Sequence, residues 1–245
     1  MGEVVLSARM QAVADLVTRG NRVCDVGCDH GFVSIYLAQQ GVSPQILAMD
    51  VRSGPLQAAR EHILAYGLEH IIETRLSDGL HNFKCGEADS LICAGMGGRL
   101  MMRILTDDRE KTDSFQELIL QPQSELEWFR RTLYVEGYCV SAENMIEEDG
   151  KFYPMMRAVK AEAKDGGNGD ENLQKLEFRY GSLLLRNRSP VLIRFLEKEQ
   201  KNYEKILDSL KKQGIEKEER KNRYGEIEAL WRETRRALSM MQQKG

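Results

Sequence analysis

Residues 23–31 read V-C-D-V-G-C-D-H-G, an apolar run that breaks into a glycine turn carrying Asp25 and Asp29, and 19 residues beyond that turn a second apolar run ends in Asp50. In open α/β sheets the first strand-to-helix turn packs against a nucleoside-bearing cofactor, and an acid at the tip of the next strand takes its ribose hydroxyls. The dinucleotide form of the turn, G-x-G-x-x-G, keeps its second glycine position bare so that the backbone approaches a pyrophosphate. Here that position is Asp29, and a carboxylate repels a diphosphate. S-Adenosylmethionine has an adenosine to grip, no phosphate and a cationic sulfonium, so an acidic turn suits it.

Such residues act together only if the elements around them bring them to one sheet edge. The pattern predicts an amphipathic helix at 7–17, strands at 22–27, 45–50, 71–76, 88–94 and 117–121, and helices at 32–40, 55–66, 97–106 and 124–136. That alternation is the doubly wound α/β pattern. Two further extended runs, 137–147 and 151–160, flank Glu148-Asp149-Gly150, and Asp-Gly is a strong hairpin signal. An antiparallel hairpin closing a parallel sheet ends a class I, Rossmann-like methyltransferase core, whereas a plain NAD-binding core lacks it.

The domain reading is a catalytic core over 1–160, a polar, glycine-rich linker over 161–170 and a helical coiled-coil extension over 171–245. Leu192, Leu196, Tyr203, Ile206 and Leu210 form one stripe, and Tyr224, Ile227, Trp231, Thr234, Leu238 and Met241 form a second. Two helices joined around Gly214 would bury these stripes as an antiparallel coiled-coil hairpin. With Tyr, Thr and Glu199 in the seam, that pair is weakly apolar and is expected to lean on the core or to firm up on binding.

Composition excludes several classes. No apolar run approaches the roughly 18 residues of a membrane span, and no charged-then-apolar segment opens the chain, so a cytoplasmic protein is expected. Five scattered cysteines, an odd number, read as small reduced core residues. His30, His62, His70 and His81 show no ligand spacing, and no metal is expected. The formal charge of −3 conceals an asymmetry. Residues 1–170 hold 17 Lys and Arg against 26 Asp and Glu, and residues 171–245 hold 18 against 12, which gives −9 and +6. A basic appendage on an acidic body suggests a polyanionic partner, with a solvated Lys-rich surface as the alternative.

D-V-G-C-D-H-G at 25–31, S-G-P at 53–55, S-D-G-L at 77–80, A-G-M-G-G at 94–98, L-I-L-Q-P at 118–122 and E-E-D-G-K-F-Y at 147–153 appear in that order. Together they resemble the successive motifs of the bacterial tRNA adenine-N(1)-methyltransferases of the TrmK type, which modify position 22. The family usually has serine at Cys28, Leu-Pro at Val33-Ser34 and asparagine at Gln123. Val33, Ser34 and Gln123 border the expected substrate side. The resemblance implies S-adenosyl-L-methionine as cofactor and tRNA as partner, and a monomer is expected. The rival readings are an NAD-dependent oxidoreductase and a non-catalytic cofactor-binding module whose coiled coil recruits a partner.

Carried onto these positions, Gly27 lets the backbone pass the methionine moiety, and Asp25 orients the turn or meets the cofactor's ammonium. Asp50 takes the ribose hydroxyls. Asp78 accepts from the adenine amino group beside Gly79 and Gly95. Asp29 and His30 are the catalytic candidates: adenine N1 is a neutral nucleophile, so alignment dominates, and a carboxylate on the exocyclic amine favours the charge developing on the ring. His30 would orient Asp29 or meet a phosphate. Alternatively, Asp25 caps strand-end donors and Asp29 caps the helix opening near Gly31. Where base-methylating enzymes of this fold usually carry N/D-P-P-Y/F, this chain has Gly95-Met96-Gly97-Gly98. A flipped purine held by main-chain groups against Met96 is one reading, and close helix packing is the other. Gln121 and Pro122 stand at a strand tip where an amide could read a base edge. Arg194, Lys198, Lys201 and Lys205 could follow a phosphate path, which adds affinity without sequence choice.

Overall fold

Side chains alternate across a strand, and the strands at the middle of this chain are apolar on both sides because both faces are covered. In β1 (Val23–Val26), Cys24 and Val26 join one buried cluster and Val23 joins the other. A computed structural model describes residues 2–161, 170–212 and 218–242, and the chain divides into two units, Met1–Asn168 and Gly169–Gly245.

The first unit runs α1 (Ala8–Ala14), β1, α2 (Phe32–Gln39), β2 (Ile46–Asp50), α3 (Ser53–Tyr66), β3 (Ile72–Leu76), β4 (Ser90–Met96), α4 (Gly98–Asp107), α5 (Arg109–Asp113), β5 (Glu117–Pro122), α6 (Leu126–Val135), β6 (Tyr138–Glu148) and β7 (Lys151–Lys160). The seven strands form one sheet in the order β3-β2-β1-β4-β5-β7-β6. The first five are parallel, β7 is antiparallel to β5, and β6 closes the edge antiparallel to β7. This is the class I methyltransferase arrangement that the alternation and the Asp149-Gly150 turn predict.

Helices α1, α2 and α3 cover one face, packing on Val23, Ile46, Ala48, Ile92 and Ile119. Helices α4 and α6, with Phe83 and Phe115, cover the other. Strand order reverses direction between β1 and β4, and ligands of open α/β sheets bind in the crevice outside the carboxyl ends there. Two readings of the sequence need correction in this unit. The short α5 carries no apolar period and was not predicted, and Cys85 and Cys139 are exposed while Cys24, Cys28 and Cys93 are the buried ones.

In the second unit, α9 (Pro190–Lys212) and α10 (Glu218–Gln242) follow α7 (Glu171–Tyr180) and α8 (Ser182–Arg186). The long pair is antiparallel, with Thr234 bonded to Glu199, Trp231 to Glu204 and Lys211 over Tyr224. Ile206 is exposed and Leu207 is the buried residue, so the α9 stripe steps one position from the predicted seam. The polar seam residues have a structural reason that the two-helix reading missed. Glu199 accepts from Arg179, Tyr180, Tyr203 and Thr234, and Arg179 also reaches Glu233, so α7 adds a third helix whose guanidinium and phenol satisfy the seam. A half-satisfied buried polar group is costly, and this carboxylate instead has four donors. The linker read at 161–170 falls almost wholly, and the joint at Gly214 wholly, outside the described residues.

Candidate functional site

The carboxyl ends of β3, β2, β1 and β4 open on a cleft of about 610 Å³. Asp78, Gly79, Leu100 and Ile104 line it beside β3, Asp50 and Gly27 line it at the middle strands, and Gly95, Met96 and Gln123 line it beyond β1. The sheet thus brings together Gly27, Asp29, Asp50, Asp78, Gly79, Gly95 and Met96, as the motif spacing predicts.

The turn after β1 is wound back onto β2. Gly27 N–H and Cys28 N–H both donate to the Met49 carbonyl, at 2.8 and 3.0 Å, Gly31 N–H donates to Cys28 O at 2.8 Å, and Asp29 N–H donates to Asp50 Oδ2 at 3.2 Å. A phosphate cradle at such a turn needs free amides pointing at the ligand, and these four are spent. Gly27 has φ +76°, and a Cβ there would lie 2.1 Å from Met96 Cε, so the turn and the β4 motif are in contact through the missing side chain. Asp50 is buried, with Oδ1 accepting Arg52 N–H at 2.8 Å. Each of its oxygens therefore has one backbone bond and keeps a lone pair for a ligand hydroxyl.

Asp29 sits at φ +51°, which turns its exposed carboxylate into the cleft. It does not cap α2: Gly31 is the N-cap, without a side-chain cap bond. Its neighbours are Arg52 Nη2 at 3.6 Å and His30 Nε2 at 3.8 Å. His30 itself is not in the cleft wall but stands outside it with Phe32 and His62. Asp78 is exposed and lies 3.3 Å from Arg103 Nη2.

Four expectations change. Asp25 does not line the cleft: it is buried under the turn, where Ser34 Oγ donates to its Oδ2 at 2.7 Å. Ser34 is accordingly a buried support and not a substrate-side residue. Burial, with help from the charge of Asp50 and against the Ser34 bond, raises the Asp25 carboxyl to about 6. Gln121 and Pro122 are buried, and Gln121 Oε1 accepts Gly95 N–H at 3.2 Å, so that amide holds the β4 turn and reads no base edge. The exposed amide on the cleft is that of Gln123, two residues on, a residue whose backbone N–H donates to Met96 O. Gly98 is a packing glycine, since a Cβ there would meet Ser124 O at 2.5 Å; Gly97 precedes it as the α4 N-cap. Sequence reasoning also missed Arg9, Arg52 and Arg103, all on the cleft. Arg52 was detectable, two residues past Asp50.

Among the described residues no group of three or more His, Cys, Asp or Glu side chains is placed to hold a metal ion, and no helix is long and apolar enough to cross a membrane. Arg194, Lys198, Lys201 and Lys205 lie on one exposed face of α9.

The methyltransferase domain family matches residues 6–156. A Bacillus subtilis protein named tRNA (adenine(22)-N(1))-methyltransferase is 36% identical over 158 residues, 64% of this chain and 66% of that one. The aligned stretch is thus just under two thirds of that relative. Over nearly the whole chain, the solved Streptococcus pneumoniae putative tRNA (m1A22) methyltransferase superposes with a TM-score of 0.82 at 30% identity, covering 96% of this chain and 100% of that one. The chain belongs to the tRNA (adenine(22)-N(1))-methyltransferase family. The same Streptococcus pneumoniae protein has been solved in complex with S-adenosyl-L-methionine, and this chain matches it with a TM-score of 0.81 at 29% identity and the same coverage. Within the family frame, the spent amides and the acidic lining describe a cleft for a cofactor without phosphate.

Proposed function

We propose that this chain transfers the methyl group of S-adenosyl-L-methionine to N1 of adenine in tRNA, at position 22. The observation that carries the reading is the β1 turn, whose Gly27, Cys28, Asp29 and Gly31 amides are consumed by Met49 O, Cys28 O and Asp50 while the Asp29 carboxylate faces the cleft. That floor repels a dinucleotide's diphosphate and attracts a sulfonium. When bound, the cofactor supplies an electrophilic methyl group.

The chain's own residues divide the remaining work. Asp50 accepts the two ribose hydroxyls, Asp78 takes the adenine amino group next to Gly79, and Gly27, bare where the Met96 methyl packs, bounds the path of the methionine arm. Gly95 and Met96 form an apolar wall against which an extruded purine rests, with Gln123 at its edge. Asp29 accepts a hydrogen bond from the target's exocyclic amine, so the positive charge that develops on the ring is met by a fixed carboxylate. Arg52 and His30 hold that carboxylate in place. Alignment of N1 with the methyl group provides most of the rate, since N1 needs no deprotonation before attack. Arg194, Lys198, Lys201 and Lys205 follow the RNA backbone and position it, and shape rather than sequence sets the target. The protein acts as a cytoplasmic monomer.

Incubation with radiolabelled S-adenosylmethionine and tRNA lacking the modification, followed by mapping of the labelled nucleotide, tests this directly. Label in 1-methyladenosine at position 22 is expected. Label elsewhere, or none, overturns the assignment.

A further inference from the structure

The E-E-D-G-K-F-Y hairpin at 147–153 has no role in the reading so far, yet two of its residues hold one side chain of the cleft. Glu148 Oε1 accepts the Arg9 backbone N–H at 3.1 Å, and the Arg9 guanidinium lies over the Tyr153 ring, 5.0 Å from its centroid. Arg9 lines the cleft, and its Nε is buried with no hydrogen-bond partner. The other two arginines on the cleft are engaged, Arg52 with Asp29 and Asp50, and Arg103 with Asp78. Among the described residues Arg9 forms no ion pair. A buried guanidinium N–H without an acceptor is costly, and Nε with one terminal nitrogen forms the fork that a carboxylate accepts side-on.

We propose that Arg9, seated by Glu148 and Tyr153, binds the α-carboxylate of the cofactor's amino-acid arm. The inference rests on the cofactor reading of the cleft and deepens it. Asp29, Asp50 and Asp78 already make the cleft negative, so a fourth carboxylate enters only where a cation meets it, and Arg9 is the one not committed to a protein acid. A small rotation of the guanidinium on Tyr153 gives Nε its partner.

Calorimetry on the full chain separates the arm from the nucleoside. S-Adenosylhomocysteine carries the carboxylate, and 5′-methylthioadenosine lacks the whole amino-acid end. Arg9→Ala is expected to weaken S-adenosylhomocysteine about 10- to 100-fold, the range of a lost charge-assisted pair. It should leave 5′-methylthioadenosine within about twofold, which also certifies a folded cleft. Arg9→Lys, with the charge but not the fork, should fall between. Equal weakening of both ligands overturns the proposal. So does unchanged S-adenosylhomocysteine affinity with a raised KM for tRNA, the signature of a phosphate contact. If the wild-type chain binds neither nucleoside, the cofactor reading itself fails, and the Arg9 assignment with it.

Discussion

Asp25 is a buried carboxyl whose one hydrogen bond among the described residues comes from Ser34, and its protonation is therefore a measurable part of stability. Its folded value is about 6 against the ordinary 3.8, chiefly because burial disfavours the charged form. Below pH 3.8 the folded and unfolded chains both hold the proton. As pH rises from there toward 6, the unfolded chain ionises first and the stability difference shrinks, and above 6 the full cost stands. At 1.36 kcal/mol for each pH unit between the two values, that cost is about 3 kcal/mol. Asp25→Asn keeps an acceptor for Ser34 and cannot ionise. Relative to wild type it should be neutral or slightly less stable at pH 4 and more stable by up to about 3 kcal/mol at pH 8. Urea unfolding across this range, followed by Trp128 fluorescence in a Trp231→Phe background, reports on the unit that holds the sheet. The charge beneath the turn also adds to the field that attracts a sulfonium, so the same variant should bind S-adenosylmethionine more weakly while being more stable. A stability difference that is the same at pH 4 and pH 8 would show that Asp25 does not ionise on this scale and would sink the argument.

Asp29→Ala should lower the single-turnover rate by about 10²-fold or more, as for loss of one electrostatic stabiliser, with a much smaller change in cofactor affinity; an unchanged rate returns Asp29 to a purely structural position. Gly27→Ala places a methyl at φ +76° and 2.1 Å from Met96 Cε, so it should cost about 1–2 kcal/mol for the backbone alone and abolish cofactor binding measured by calorimetry. Adding Met96→Ala should recover part of the binding, and no recovery would mean the strain lies elsewhere. Lys201→Glu with Lys205→Glu should raise the KM for tRNA and flatten its salt dependence by roughly one to two log units per log unit of salt, leaving calorimetric cofactor affinity as in wild type; an unaltered salt slope removes α9 from the RNA path.

The core of the fold was legible because its signals are local. Both-face-buried strands give unbroken apolar runs, and the Asp149-Gly150 turn announces the hairpin that closes the sheet. The acids of the site were legible for the same reason, since Asp29, Asp50 and Asp78 follow strand ends that all point to one edge. What failed was side-chain direction at the end of β5. Gln121 belongs to a strand that is buried throughout, so its amide turns inward to Gly95, and the first side chain free to face the cleft is Gln123. A second failure concerns partners distant in sequence. Glu199, Tyr203 and Thr234 look like defects in a two-helix seam until Arg179 and Tyr180 of α7 arrive to satisfy them, and α7 itself has too few apolar residues to declare its role.

The glycine turn shows how a motif can be read correctly for an incomplete reason. Asp29 at the second glycine position argues against a diphosphate by charge, and charge alone would be reversible by a single substitution. The structure adds a second cause. Gly27 and Cys28 both donate to Met49 O, and Asp29 N–H goes to the Asp50 carboxylate, so β2 consumes three of the turn's donors that could otherwise meet a pyrophosphate. Restoring glycine at 29 would remove one negative charge and leave those bonds in place. The backbone pairing of the turn with β2 therefore works against a dinucleotide independently of the charge at Asp29, and the role proposed for Asp29 at the target base does not have to carry that selectivity alone.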